Sequence, residues 1–165
     1  MAVVVKWVVI SLLVLVAGAI AAGQLGWLQG NAPNDLGVRN GKFKGLSPTK
    51  NCVSSQAGLY PDHPQRQYAA IAPLALRGSG PETIAKLQKI VASMDGARLV
   101  KNAPDYLYAQ YTTPLMKYVD DVEFWFDPTA QVIQVRSASR VGQGDRGLNR
   151  QRVEAVRSAL AAAAT

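Results

Sequence analysis

Three groups of side chains in this sequence are of types that could carry chemistry. The only cysteine, Cys52, and the only histidine, His63, offer a thiol nucleophile and an imidazole base. Nothing near Cys52 in the sequence would lower a thiol pKa, and no third group is placed to orient the imidazole, so a buried, inert cysteine is the default expectation. Asp120, Asp121 and Glu123 could hold a hard cation through oxygen. Strand alternation sends Asp120 to the face opposite the other two, and no glycine-rich acidic loop accompanies them, so no metal site is expected. The third group is the segment "VRSASRVGQGDRGLNRQRV", residues 135–153, which sets five arginines among Ser137, Ser139, Asp145 and Asn149. Its "GQGDRG" lacks the lysine and the spacing of a nucleotide-binding loop. It could still present backbone N–H groups to an anion at a helix start, with Arg140 and Arg146 beside it. In the competing reading Asp145 supplies the negative charge itself, capping the turn and pairing with Arg140.

Periodicity indicates the elements that must position these residues. "SGPE" at 79–82 is a capping box with Ser79 as N-cap, and Ile84, Leu87, Val91 and Met94 follow at helical spacing, with Lys86 and Lys89 facing out. Asp95 and Gly96 close that helix. Residues 67–76 read as a strand that Pro73 keeps away from a central position. Strand-like runs follow at 97–102, 105–113, 118–126 and 131–140. Asn149 is placed to cap a last helix through about 163, whose buried stripe is Val153, Val156 and Leu160. Strand, helix, four strands, helix is an α+β order: an antiparallel sheet with helices on one side, preceded by an N-terminal membrane helix.

The turn "DPTA" at 127–130 sets which residues share a face. A four-residue loop there pairs Trp125 with Val132, Glu123 with Gln134, Asp121 with Arg136 and Val119 with Ala138. The other face carries Phe126, Phe124, Val122 and Asp120 opposite Gln131, Ile133, Val135 and Ser137, with Ser139 beyond, and is the expected core face. On this reading Asp121 and Arg136 form an exposed cross-strand pair. Asp120 points inward and needs donors, from the serines, from loop N–H groups, or from Arg140 if the loop curls it in. Arg136, Arg150 and Arg157 are accounted for by pairing within the fold. Asp120, Ser137, Ser139, Arg140, Asp145 and Asn149 are not, and they gather where the core-face strand end meets the last helix. They are the candidate ligand-binding residues.

The chain has 165 residues, 48% hydrophobic and 18% charged, enough for one globular domain, and one cysteine excludes an internal disulfide. The net charge of +7 is unevenly spread. Residues 1–50 hold five Lys/Arg against one Asp, leaving +4, and residues 136–157 hold six Arg against Asp145 and Glu154, leaving another +4. The remainder is near neutral, without the broad basic face of a nucleic-acid binder, so no nucleic-acid partner is expected. Residues 7–23, "WVVISLLVLVAGAIAAG", are apolar but for Ser11. A signal peptide would use Lys6 as a thin n-region and "AIAA" as its cleavage site. A retained anchor would use Trp7 and Trp27 as interfacial ends, separated by roughly 30 Å of helix. The second tryptophan favours the anchor, so residues 1–28 are read as transmembrane anchor or signal sequence, with the bilayer as partner through residues 7–28. Charge alone leaves orientation open, since Lys6 stands on one side and Arg39, Lys42 and Lys44 on the other. Residues 29–50 have no period and read as a linker near the headgroups or, in their second half, as a strap packed on the domain, which spans 51–165.

Three separated stretches, "NCVSSQA" at 51–57, "VDDVEF" at 119–124 and "VRSASRVGQGDRGLNRQRVEAVR" at 135–157, resemble the domain of unknown function 1499 family. The resemblance covers roughly 45–162, with a "DLGV" lead-in at 35–38. It implies an exported or membrane-anchored domain, held outside the cytoplasmic membrane on the periplasmic side. It supplies no reaction, substrate or catalytic residue. The expectation is therefore a single-pass envelope protein whose domain binds a partner protein or small molecule, with no cofactor. The alternative is a small hydrolase using Cys52 or Asp120.

Overall fold

The computed structural model describes residues 1–163, so the last two residues of the expected 51–165 domain lie outside the described residues. The chain opens with helix α1, Ala2–Gln24, long and apolar enough to cross a membrane, and none of its most apolar span is buried against the protein. Residues 25–51 then run without a regular element to strand β1, Cys52–Ser54. A single 3-10 turn, a short helix α2 (Arg66–Ala69) and a two-residue strand β2 (Leu74–Ala75) lead to helix α3, Gly80–Ala92. Four long strands follow, β3 (Ala97–Ala103), β4 (Tyr106–Thr112), β5 (Val119–Asp127) and β6 (Val132–Ser139), and then helix α4, Leu148–Ala162.

The strands form one six-stranded antiparallel sheet in the order β1-β6-β5-β4-β3, with β2 also on β6 beyond β1. Helices α3 and α4 lie on one face. Ile84, Leu87 and Val91 of α3 and Val153, Val156 and Leu160 of α4 meet Leu107, Val122, Phe124, Ile133 and Val135 in a single buried cluster. The α+β class, the helices on one side and both helical stripes are as the sequence indicated. Ser79 caps α3 through the expected capping box with Glu82.

Three expectations are corrected. The stretch 67–76 is not a continuous strand: it begins in α2, Ala70 makes a single parallel bridge to Ser54, and only Leu74 and Ala75 form a strand, on β6. Its carbonyls at Tyr68, Ala70, Ala72 and Pro73 are taken by Arg150 and Arg157 of α4, which removes the acceptors a strand would have used. The β5–β6 hairpin is registered two residues further out, with Asp127 opposite Val132 and Glu123 opposite Arg136. Asp127 closes the turn, its Oδ1 accepting from the N–H groups of Thr129 and Ala130, and Gln131 takes the left-handed conformation, φ 53°. A two-residue shift preserves the side-chain alternation, so every residue stays on its expected face.

The third correction concerns the outer face, which is not wet. Residues 29–50 fold back over it as a strap, and Phe43 packs with Tyr106, Tyr108 and Trp125 in a second cluster. Gln56 clamps the strap, accepting from Phe43 N–H and donating to the Gly41 carbonyl. Residues 119–124 of β5 are consequently buried on both faces.

Candidate functional site

The polar residues of 119–153 divide into two buried networks, one on each face of the sheet. On the helix face Asp120, 3% exposed, is held by Arg152, whose Nη2 stands 2.7 Å from Oδ2. The same guanidinium gives Nη1 to Asn149 Oδ1 at 2.8 Å and lies over the Tyr111 ring, 4.5 Å from its centroid. Asn149, fully buried inside the first turn of α4, accepts from Ser137 Oγ–H and donates through Nδ2 to Ser139 Oγ, the Asn51 carbonyl and Asp145 Oδ2. Asp145 in turn accepts from the Tyr68 hydroxyl and from the N–H groups of Gly147 and Asn149.

Asp145 therefore fills the cradle at the start of α4, the outcome in which the protein supplies its own anion. Burial alone would raise its carboxyl, but these donors outweigh burial and hold it below the usual carboxylate range. Burial and then the Asp145 hydrogen bond push Tyr68 up to about 12. Two details differ from expectation. Gly147, in the left-handed conformation, is the N-cap in place of Asn149. Arg140 pairs with neither Asp145 nor Asp120.

Arg140 instead turns to the strap face and grips Asp121 with two hydrogen bonds, Nε to Oδ2 at 2.9 Å and Nη2 to Oδ1 at 2.8 Å, while Tyr108 donates to the same carboxylate. Asp121 is 1% exposed, so the expected exposed Asp121–Arg136 pair does not exist. Arg136 is buried with Glu123 and hydrogen bonds to the carbonyls of Lys44 and Gly45 in the strap. Glu123 Oε1 accepts from Tyr106 and from the strap at Gly37 N–H, both at 2.7 Å. Its Oε2 has no hydrogen-bond partner, and Arg136 at 3.7 Å is too distant to be one. Burial consequently raises the Glu123 pKa above its ordinary 4.5, against the pull of Tyr106, Gly37 and Arg136.

The remaining candidates are chemically quiet. Cys52 is 1% exposed, and burial pushes its thiol up, away from the thiolate a nucleophile needs. His63 spends Nδ1 on the N–H of Gln65. Among the described residues no three His, Cys, Asp or Glu side chains gather to hold a metal.

Asp120, Ser139 and Asp145 come together on the lining of one cleft of about 500 Å3, whose walls are Trp27, Leu28, Tyr118, Val141 and Leu148. Ser137 and Asn149 stand behind it in the network, and Arg140 is on the other side of the sheet. The residues that sequence reasoning missed are Arg152, Tyr68 and Asn51. A signal for Arg152 was present, because it lies one turn after Asn149 on the stripe that also carries Val153, Val156 and Leu160. Nothing local marks Asn51 or Tyr68.

No curated protein and no solved structure matches the chain. The family described as "Protein of unknown function (DUF1499)" matches residues 43–160, a stretch that takes in the end of the strap, all six strands and nearly all of α4. The chain belongs to that family.

Proposed function

We propose that the chain is a single-pass membrane protein whose domain, held on the periplasmic side of the cytoplasmic membrane, works by binding. The observation that carries this reading is the way α1 joins the domain. Its apolar surface is unburied up to the last turn, where Gln24 Nε2 donates to the carbonyls of Pro114 and Leu115. Gly23 there lies so close to Met116 that an added Cβ would stand 2.7 Å from the carbonyl oxygen. A cleavable signal peptide has no need of a fitted junction with the mature domain, whereas a retained anchor uses one to fix the domain's posture on the bilayer. Binding is favoured over catalysis because Asp120 is committed to Arg152 and Cys52 is a buried thiol.

Intact mass and fractionation test the anchor. The purified protein should have the mass of the whole chain and should stay with carbonate-washed membranes, and protease should reach the domain from the periplasmic side. A mature N-terminus between Ala22 and Gln24 would refute the anchor. Turnover of an ester, phosphoester or peptide substrate by the full chain, lost in Asp120→Asn, would refute the binding reading.

A further inference from the structure

We infer that the cleft beneath α1 binds the head of a membrane phospholipid that carries both a phosphate and a terminal ammonium, as phosphatidylethanolamine does. The inference rests on the anchored reading and names the ligand class for the same site. Position comes first. Leu25 and Trp27 follow α1 directly and are 67% and 76% exposed, and Trp27 is itself a wall of the cleft. If α1 spans the bilayer, the mouth of the cleft lies at the headgroup level, where tryptophan is favoured. Leu115, Tyr118 and Leu148, also exposed, extend the same apolar collar on the loops around it. A volume of about 500 Å3 suits a lipid head with the first part of its chains.

Charge then selects the head. Two carboxylates line the cleft, and only one has a counter-ion. Asp120 is neutralised by Arg152, whereas the hydrogen-bond donors described for Asp145 are uncharged groups, the Tyr68 hydroxyl, the Asn149 amide and two backbone N–H groups. These four donors occupy both oxygens of Asp145, so it offers an ammonium its negative charge, while the Ser139 hydroxyl on the lining remains to accept an N–H. Arg146, on the same lining, is exposed and forms no ion pair among the described residues. It supplies the positive charge a phosphate requires. A trimethylated ammonium offers no N–H to Ser139 and holds its charge farther from Asp145 behind its methyl groups, and a glycerol head brings no cation to Asp145.

Native mass spectrometry of the full chain in non-ionic detergent, with phosphatidylethanolamine, phosphatidylcholine and phosphatidylglycerol of identical acyl chains added in equal amounts, is the test. One phosphatidylethanolamine should be retained in preference to either competitor. Arg146 has φ 53°, so Arg146→Asn removes the charge with a residue suited to that backbone conformation. It should weaken retention about tenfold without lowering the melting temperature. Equal retention of the three lipids, retention of none, or full retention by Arg146→Asn would overturn the proposal. The same spectra weigh the chain itself. A shortened chain that still selects phosphatidylethanolamine would sink the anchor and leave the site, whereas an intact chain that selects nothing would sink the site alone.

Discussion

Asp120 and Asp121 are adjacent in sequence, face opposite sides of the sheet, and are both buried against an arginine. Removing one partner of such a pair strands the other charge in a buried site, which typically costs about 3–5 kcal/mol, against less than about 1 kcal/mol for an exposed pair. Asp120→Ala and Asp121→Ala should therefore lower the urea midpoint of the full chain by similar, large amounts, and Arg152→Ala should match Asp120→Ala. A loss at Asp121 several-fold smaller than at Asp120 would mean that the strap does not exclude water from the outer face. The sequence alone points to that unequal outcome, and the reason for the difference is instructive. Alternation fixes which face a strand residue takes, and it does so even when the register slips by two. It says nothing about what covers the face. Here the cover is an aperiodic segment 86 residues distant, reaching Glu123 through one backbone N–H at Gly37. Arg140 differs for another reason: the alternation of β6 continues through it and carries it to the strap face with Arg136, and only an inward curl of the loop would have brought it to Asp120.

At the scale of elements, what was legible followed from local chemistry. The capping box at Ser79 and the stripes of α3 and α4 need only neighbours within a turn or two. The short strands β1 and β2 were harder, because with three and two residues they carry no period and exist only through their pairing with β6. The start of α3 shows local preference and tertiary packing in opposition. Gly80 is a poor helix residue, and alanine there would ordinarily gain up to about 1 kcal/mol. An added Cβ, however, would stand 2.3 Å from the Phe126 ring, which is packed against the first turn. Gly80→Ala should be destabilising by about 1–3 kcal/mol as the ring is forced aside. It should exceed Ser79→Ala, which removes one cap at about 1 kcal/mol. Thermal melts of the two variants decide the order, and a stabilised Gly80→Ala would show that Phe126 moves freely.

The whole molecule is a sheet between two unlike covers, two helices on one side and a strap without regular structure on the other. The helix cover is apolar along most of its buried stripe and encloses Asp120 with Arg152 and Asn149 near the start of α4. The strap cover encloses Glu123, Arg136, Asp121 and Arg140, and among the described residues it alone of the two leaves a buried carboxylate oxygen without a hydrogen bond. That arrangement has a pH signature. Because burial raises Glu123 in the folded state, the unfolded chain releases the proton first as pH rises. Between the ordinary value of 4.5 and the raised folded value the native state binds more protons, so stability falls across that interval and levels off above it. Asp145 acts in the opposite sense at lower pH, since its depressed pKa contributes stability that is lost as pH drops through the folded value. Urea midpoints of the full chain should thus decline as pH rises from about 4.5, and Glu123→Gln should flatten the decline without altering the acid limb. Phe43→Ala tests the strap as the cause. Truncating this ring, 4% exposed, should loosen the cover, lower stability at every pH, and weaken the same slope by letting water reach Glu123. If Phe43→Ala lowers stability but keeps the full slope, burial of Glu123 comes from the sheet itself, and the strap is a passenger on a surface that was already closed.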